Sequence, residues 1–260
     1  MTPFYKFHGT GNDFIMIDGF TTNPVLTTLK IREVCNRRTG VGADGLIIIA
    51  PSTVYDFEMI YYNSDGSKAS MCGNGARCAV AFAQMLGIAT KEMTFLAGDG
   101  EHSATVDKGE EGVWHVEVTM TDASFPDKKD DGYYINTGTH HFVKITDSVK
   151  NVDIMSEGPV IRNDKRFAPE GVNVNWISIT PGHITIRTYE KGVEEETLSC
   201  GTGVTASALV AGSLTYDTVW NVETKGGTLE VTFVINDDFF SEIKLKGPAK
   251  LVFTGETIIF

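Results

Sequence analysis

The apolar residues of this chain fall mostly in short runs, four to eight long, separated by polar turns rich in glycine, asparagine and aspartate. Runs of that length, rich in Ile, Val, Phe and Tyr, predict strands rather than helices. Strands are expected at Phe4–Phe7, Phe14–Ile17, Leu46–Ile49 and Phe57–Tyr62. A meander is expected over 93–97, 103–107 and 113–120, with a polar loop at 108–112. Further strands are expected at 133–136, 142–145, 172–179 and 184–189. The tail from Val219 to Phe260 reads as strands broken at Lys225-Gly226-Gly227 and Asn236-Asp237-Asp238. The break at His8-Gly9-Thr10-Gly11-Asn12-Asp13 reads equally as a tight excursion that presents Asn12 or as a β-bulge.

Four segments carry a helical pattern. Thr28 is placed to cap a helix over Leu29–Arg38, with Leu29, Val34 and Cys35 toward the core. A short helix is expected over 149–156. The other two are apolar nearly all round, which predicts burial on every side. One follows Met71-Cys72-Gly73-Asn74-Gly75-Ala76-Arg77 and ends near Leu86, with Gly87 as its cap. The other follows Ser199-Cys200-Gly201-Thr202-Gly203-Val204-Thr205. Cys200 − Cys72 is 128 residues, close to half the chain, so a strand–turn–Cys-Gly-x-Gly–helix unit occurs once in each half. The expected fold is α+β. It has two pseudo-symmetric domains, each a mostly antiparallel β-sheet or barrel wrapped round a central apolar helix, with the active site in the cleft between them. Residues 1–121 form the domain carrying Cys72, to which the tail from about 250 returns; residues 122–249 form the domain carrying Cys200. The polar stretch 121–132 is the expected linker.

Composition narrows the functional classes. A net charge of −12 argues against nucleic acid, whose phosphates require a Lys/Arg surplus. No stretch approaches the ~18 uncharged apolar residues of a membrane span, and the residues from Met1 to Phe14 lack a signal pattern. A cytoplasmic protein without membrane partners is expected. Four cysteines in 260 residues are too few for a disulfide scaffold. Without a Cys-x-x-Cys or His-x-x-x-His pair, no metal site is expected. Cys35 and Cys78 lie inside helical patterns and read as packing residues.

The repeated motif has chemistry of its own. A helix N-terminus offers backbone N–H groups and roughly +0.5 of a charge. The flanking glycines let a carboxylate or phosphate approach closely. A cysteine there has its thiolate stabilised, so its pKa is expected below the ordinary ~8.5. Two such thiols on opposite sides of one carbon make a base and an acid. One removes the α-proton of an amino acid, the other returns a proton to the opposite face, and the carbon inverts. Helix N–H groups on the carboxylate stabilise the enolate-like carbanion. Pyridoxal phosphate is not required, and no cofactor is expected.

Further stretches join the two motifs in one order: His8-Gly9-Thr10-Gly11-Asn12-Asp13-Phe14, Arg38-Thr39-Gly40-Val41-Gly42-Ala43-Asp44-Gly45, Tyr62-Asn63-Ser64-Asp65-Gly66-Ser67, Gly171-Val172-Asn173-Val174-Asn175 and Tyr189-Glu190-Lys191-Gly192. With them the chain resembles the diaminopimelate epimerases, cofactor-independent two-cysteine enzymes of lysine and peptidoglycan precursor synthesis. The resemblance spans nearly the whole chain. It implies that Cys72 and Cys200 are the acid and base, exchanging roles with direction. It implies that Gly73, Asn74, Gly201 and Thr202 hold the α-carboxylate. Asn12, Asn63, Asn173 and Glu190 would contact the substrate, several at its distal end, and Lys191 falls beside them. His141 and Glu190 resemble the pair that tunes the cysteines, with His140 the rival of His141. The implied reaction interconverts LL- and meso-diaminopimelate.

Two departures fall where the distal end would bind. Lys191 stands where the family usually has arginine, keeping the charge but losing the two-pronged grip on a carboxylate. Gly138-Thr139-His140-His141 stands where the family often has Gly-Asn-Pro-His or Gly-Ser-Pro-His. A racemase of another amino acid on the same scaffold is therefore the alternative. A thiol redox or binding protein using a Cys72–Cys200 disulfide is the alternative from a different class. A homodimer is expected from strand-rich domains with edges to cover.

Overall fold

The first two apolar runs form an antiparallel hairpin in the computed structural model, which describes residues 1–259. Strand β1 (Thr2–Gly9) pairs with β2 (Asn12–Asp18), Gly9 opposite Asn12. Thr10 and Gly11 make the two-residue turn with φ of 50° and 88°, the left-handed pair that suits the twist of a hairpin. The bulge reading is thereby replaced by a tight turn.

Helix α1 (Thr28–Cys35) is shorter than its pattern, and its cap is Thr27, whose Oγ1 accepts from Lys30 N at 3.3 Å. It stops because Asn36 Oδ1 accepts from Arg38 N and Thr39 N at 2.8 and 3.0 Å, an Asx turn that competes with further helix. Leu29 is exposed, and Ile31 joins Val34 and Cys35 in the core instead. There follow β3 (Gly45–Ala50), β4 (Phe57–Asn63), β5 (Lys68–Ala69), α2 (Gly73–Met85), β6 (Glu92–Ala97), β7 (Gly100–Lys108) and β8 (Val113–Thr119).

The remaining strands are β9 (Ala123–Ser124), β10 (Asp127–Lys129), β11 (Gly132–Asn136), β12 (His140–Ile145), β13 (Asn173–Thr180), β14 (His183–Glu190), β15 (Glu195–Thr197), β16 (Val219–Thr224), β17 (Gly227–Ile235) and β18 (Phe239–Thr257). Helix α3 is Ile154–Arg162 and α4 is Gly201–Thr215. The linker expected at 121–132 is instead ordered into β9 and the β10–β11 hairpin. The helix expected at 149–156 divides into one 3-10 turn at Val149–Asn151 and α3, whose start is fixed by Asp153 Oδ1 accepting from Ser156 N. The tail forms β16, β17 and β18 with turns where the sequence places them; its last residue, Phe260, lies outside the described residues.

The chain divides into two units: Met1–Val118 with the chain from Gly247 onward, and Thr119–Lys246. In the first, β1, β2, β3, β4, β6, β7, β8 and the far part of β18 pair in that order, and β18 returns to β1, so the sheet closes on itself as a barrel. Only β2–β3 and β4–β6 are parallel. Helix α2 packs on β1, β2, β3, β4 and β7, and every residue from Gly73 to Ala83 is buried. Six of the thirteen residues of this helix are Gly or Ala, which lets strands approach it closely. A Cβ on Gly75 would meet Ile47 Cδ1 at 2.8 Å. On its other face the sheet packs with α1 through Ile15, Ile17, Ile31, Val34 and Leu46. Burial on both faces explains why β2 reads as a continuous apolar run.

The second unit repeats the plan. Its sheet runs β10, β11, β12, β13, β14, β16, β17, β18 and β9, with β12–β13 and β14–β16 parallel. Helix α4 packs on β11, β12, β13, β14, β16 and β17 and is buried from Gly203 to Gly212. The opposite face holds α3 through Ile154, Ile161, Val174, Trp176 and Tyr189. Among the described residues no helix is long and apolar enough to cross a membrane.

Candidate active site

Each cysteine of the repeated motif is the residue that caps an apolar helix. Cys72 stands before α2 with φ −144° and ψ 119°, and Cys200 before α4 with φ −118° and ψ 110°; neither side chain caps its helix. The first intrahelical bonds are Ala76 N to Cys72 O at 2.7 Å and Val204 N to Cys200 O at 2.9 Å. The N–H groups of Gly73, Asn74 and Gly75, and of Gly201, Thr202 and Gly203, lie ahead of those bonds. Extended backbone at the cysteine followed by helix places the thiol beside these donors.

In the first unit, Cys72 Sγ donates to Asn12 Oδ1 at 3.5 Å. A one-way chain of amides sets that contact. Arg77 Nη2 donates to Asn74 Oδ1 at 2.8 Å, Asn74 Nδ2 to Asn12 Oδ1 at 3.3 Å, and Asn12 Nδ2 to Asp44 Oδ2 at 2.8 Å. The cation at one end and the carboxylate at the other leave only one orientation for each amide. Asp44 and Asp13 are held by Arg37, and the buried Lys6 pairs with Asp13 at 2.8 Å. Burial pushes the Asp13 carboxyl up, but the bonds from Arg37 and Lys6 outweigh it and leave it well below the usual carboxylate range. Asn63 closes the turn after β4, its Nδ2 donating to Ser67 Oγ at 3.1 Å, and the register sets it beside Gly45.

In the second unit, Thr202 Oγ1 lies 3.5 Å from Cys200 Sγ, 3.0 Å from His141 Nε2 and 3.2 Å from Thr139 Oγ1. His141 is fully buried on β12. Asn175 Oδ1 accepts from Thr188 Oγ1 at 2.9 Å, so its Nδ2 donates to His141 Nδ1 at 3.1 Å. That assigns the ring proton to Nε2, which faces both Thr139 Oγ1 at 2.9 Å and Thr202 Oγ1, and leaves the Thr202 hydroxyl proton for Cys200 or Thr139. Burial, with smaller contributions from His140 and Lys191, lowers the His141 pKa to about 3, so the ring is neutral. His140 turns elsewhere, its Nδ1 against Tyr134 Oη at 2.5 Å. Asn173 accepts the Lys191 backbone N–H at 2.8 Å and faces Thr139 at 3.4 Å. Glu190 accepts from Thr197 Oγ1 at 2.9 Å.

The structure thus gathers Cys72, Asn12 and Asn74 in one cluster, and Cys200, Thr202, His141 and Asn173 with Lys191 in another. Three residues of these clusters lie in the quoted motifs but take no role from the sequence: Arg77, Asp44 and Asn175. Arg77 carries a further signal, as a charge in a helix that is otherwise mostly small and apolar. Among the described residues no three His, Cys, Asp or Glu side chains come together as a metal site requires.

Comparison with known proteins adds ancestry to this geometry. The family model described as diaminopimelate epimerase matches residues 4–126 and 133–252. A diaminopimelate epimerase of Flavobacterium psychrophilum is 44% identical over 253 residues, covering 96% of this chain and 97% of that one. One of Chlorobaculum tepidum is 42% identical over 258 residues, covering 95% and 98%. Among solved structures, a Bacillus anthracis phenazine biosynthesis protein of the PhzF family superposes with TM-score 0.76 at 15% identity, covering 99% of both chains. A probable proline racemase from Agrobacterium radiobacter gives 0.73 at 15% identity, covering 100% of this chain and 94% of that one. These distant structures share the fold.

Proposed function

The chain belongs to the diaminopimelate epimerase family, and on that footing we propose that it interconverts LL- and meso-diaminopimelate by a two-thiol acid/base mechanism. Each sheet wraps its apolar helix, with the domain boundaries near residues 121 and 249, and each domain brings one cysteine to the substrate. The observation that carries the reading is the matched pair of capping cysteines on α2 and α4, each with its own polar support.

The mechanism follows from these groups. One thiolate takes the α-proton: the C–H bond breaks, its pair stays on carbon, and an S–H bond forms. The opposite thiol gives its proton to the other face, leaving a thiolate, so the carbon inverts and the cysteines exchange roles. N–H groups of Gly73, Asn74, Gly201 and Thr202 hold the α-carboxylate and the charge that spreads onto it. His141 is neutral and acts through Thr202, orienting a hydroxyl toward Cys200. Asn12, Asn63, Asn173, Glu190 and Lys191 supply the polar lining for the rest of the substrate. The same reading carries a cytoplasmic homodimer that needs no cofactor and binds neither nucleic acid nor membrane.

A substrate panel tests the assignment. Reduced protein is incubated with LL-diaminopimelate, proline, hydroxyproline and glutamate, and products are resolved by chiral chromatography. Turnover of diaminopimelate alone is expected. Turnover confined to another amino acid would replace the substrate while leaving the two-thiol chemistry.

A further inference from the structure

Arg77 is the largest buried charge in the first unit, with no exposed surface. It lies in the first turns of α2, where a cation opposes the helix dipole. Among the described residues no carboxylate meets it. Its contacts are neutral oxygens: Gly73 O at 3.2 Å, Asn74 Oδ1 at 2.8 Å and Thr10 Oγ1 at 3.4 Å, while Nε has no partner. The surroundings are built to receive it. A Cβ on Gly9 would stand 3.1 Å from Arg77 Nη2 and 3.0 Å from Asn74 O, so any larger residue there would press on the guanidinium. Thr10, held in the left-handed region at φ 50°, both accepts from Arg77 and donates to Asn74.

A buried, unbalanced cation is costly, and a packing role there is open to methionine or leucine. The groups that carry its counter-charge are few. Helix α2 itself offers Cys72 and Cys78. Burial pushes the Cys78 thiol far up, so it stays protonated. On β1, Tyr5 packs on Phe82, while Lys6 is paired with Asp13 of β2, and His8 accepts from Gly11 N. Strand β3 has no ionisable residue. Tyr61 of β4 packs on Phe14, and Glu58 is its other ionisable neighbour, with Tyr62, along that strand. On β7, His102 is bound to Asp99, and Glu101, Asp107 and Lys108 are exposed. That leaves Cys72, half-buried at the head of the same helix and joined to Arg77 through Asn74 and Asn12. The second motif lacks the feature. Thr205 stands at the position equivalent to Arg77, its Oγ1 bonding Gly201 O at 3.0 Å much as Arg77 bonds Gly73 O.

We infer that Arg77 is a positioning residue for the reaction, supplying the buried positive charge against which Cys72 ionises; the equivalent position of the second motif holds the uncharged Thr205. The inference rests on the reading of both cysteines as acid/base groups. It places a thiolate on Cys72 in the free protein: the S–H bond breaks, its pair stays on sulfur and its proton goes to water.

The test is the pH dependence of iodoacetamide alkylation, read by peptide mass mapping on substrate-free protein, so it does not depend on which amino acid is turned over. Cys72 is followed in a Cys200→Ser background and Cys200 in a Cys72→Ser background. Arg77→Met is expected to raise the Cys72 midpoint by about one pH unit or more, from below the ordinary ~8.5, and to leave Cys200 unmoved. Arg77→Lys, which keeps the charge, is expected to restore most of the shift. An unmoved Cys72 midpoint, an equal shift at Cys200, or a lysine no better than methionine would each overturn the inference. If Arg77→Met loses its cooperative melt, the native arginine decides: a Cys72 midpoint about one unit or more below the ordinary ~8.5 supports it, and one at or above that value overturns it.

Discussion

His141 and Asp13 answer to pH in ways that their surroundings dictate. His141 is buried and neutral, its pKa lowered to about 3. The unfolded chain binds a proton there below the ordinary ~6.5. The stabilising effect is therefore complete above that value and declines as pH falls toward the folded pKa, at about 1.4 kcal/mol per unit. His141→Gln is expected to flatten the acid side of the stability profile between pH 6 and pH 4, measured by urea melts; an unchanged slope would contradict the buried neutral ring. Asp13 works through its depressed pKa. Its carboxylate contribution is present above the ordinary ~3.9 and lost as pH falls below it. Asp13→Asn leaves Lys6 buried with the Gly42 carbonyl and no carboxylate. A loss of about 2 kcal/mol at pH 7 is expected, less than for a fully dry pair because Arg37 is largely in solvent, and it should shrink at pH 3. At this scale the cysteines, Asn12, Asn74 and Thr202 were legible because they sit in motif positions. Asn175 was not, since its part depends on a parallel β12–β13 register that sets Val143 opposite it and brings its amide to His141.

The elements show where local pattern suffices and where contacts override it. The two apolar helices were legible because Gly-x-Gly followed by alanines and valines has no polar face to offer solvent. Helix α1 was overextended because Asn36 ends it through a side-chain bond that hydrophobic periodicity does not register. The ordering of 121–132 was missed because polar residues pair as well as apolar ones once a hairpin partner is present: Asp127, Lys128 and Lys129 face Tyr134, Tyr133 and Gly132. The start of α4 depends on a close approach. A Cβ on Gly203 would meet Asn175 Oδ1 at 2.5 Å and Cys200 Sγ at 3.4 Å. Gly203→Ala is expected to destabilise the protein by about 1–3 kcal/mol and displace Asn175 from His141. A thermal melt measures the first. Loss of the His141 imidazole signal from its buried environment by NMR checks the second.

Across the molecule, the half-chain repeat is the feature that sequence and structure share most plainly. Each unit puts one apolar helix against its sheet and a second helix on the far face. The return of the tail from about 250 to the first domain was an expectation of the sequence, but its strand partners were not legible. β18 is one 19-residue strand, and its residues from Gly247 on pair with β8 and β1. Chain order alone does not reveal which strands the tail joins, because the pairing is set by partners more than a hundred residues away. The two halves are alike in backbone and unlike in chemistry, with Asn74 and Arg77 in one where Thr202 and Thr205 stand in the other. The central claim is that two thiols exchange a proton at one carbon. It is tested by incubating reduced protein with LL-diaminopimelate in heavy water and following deuterium by mass spectrometry and proton NMR. The account predicts meso product carrying one solvent deuterium at the inverted α-carbon, with inversion lost in both Cys72→Ala and Cys200→Ala. Inversion without deuterium in the product, or undiminished inversion in either variant, would contradict it.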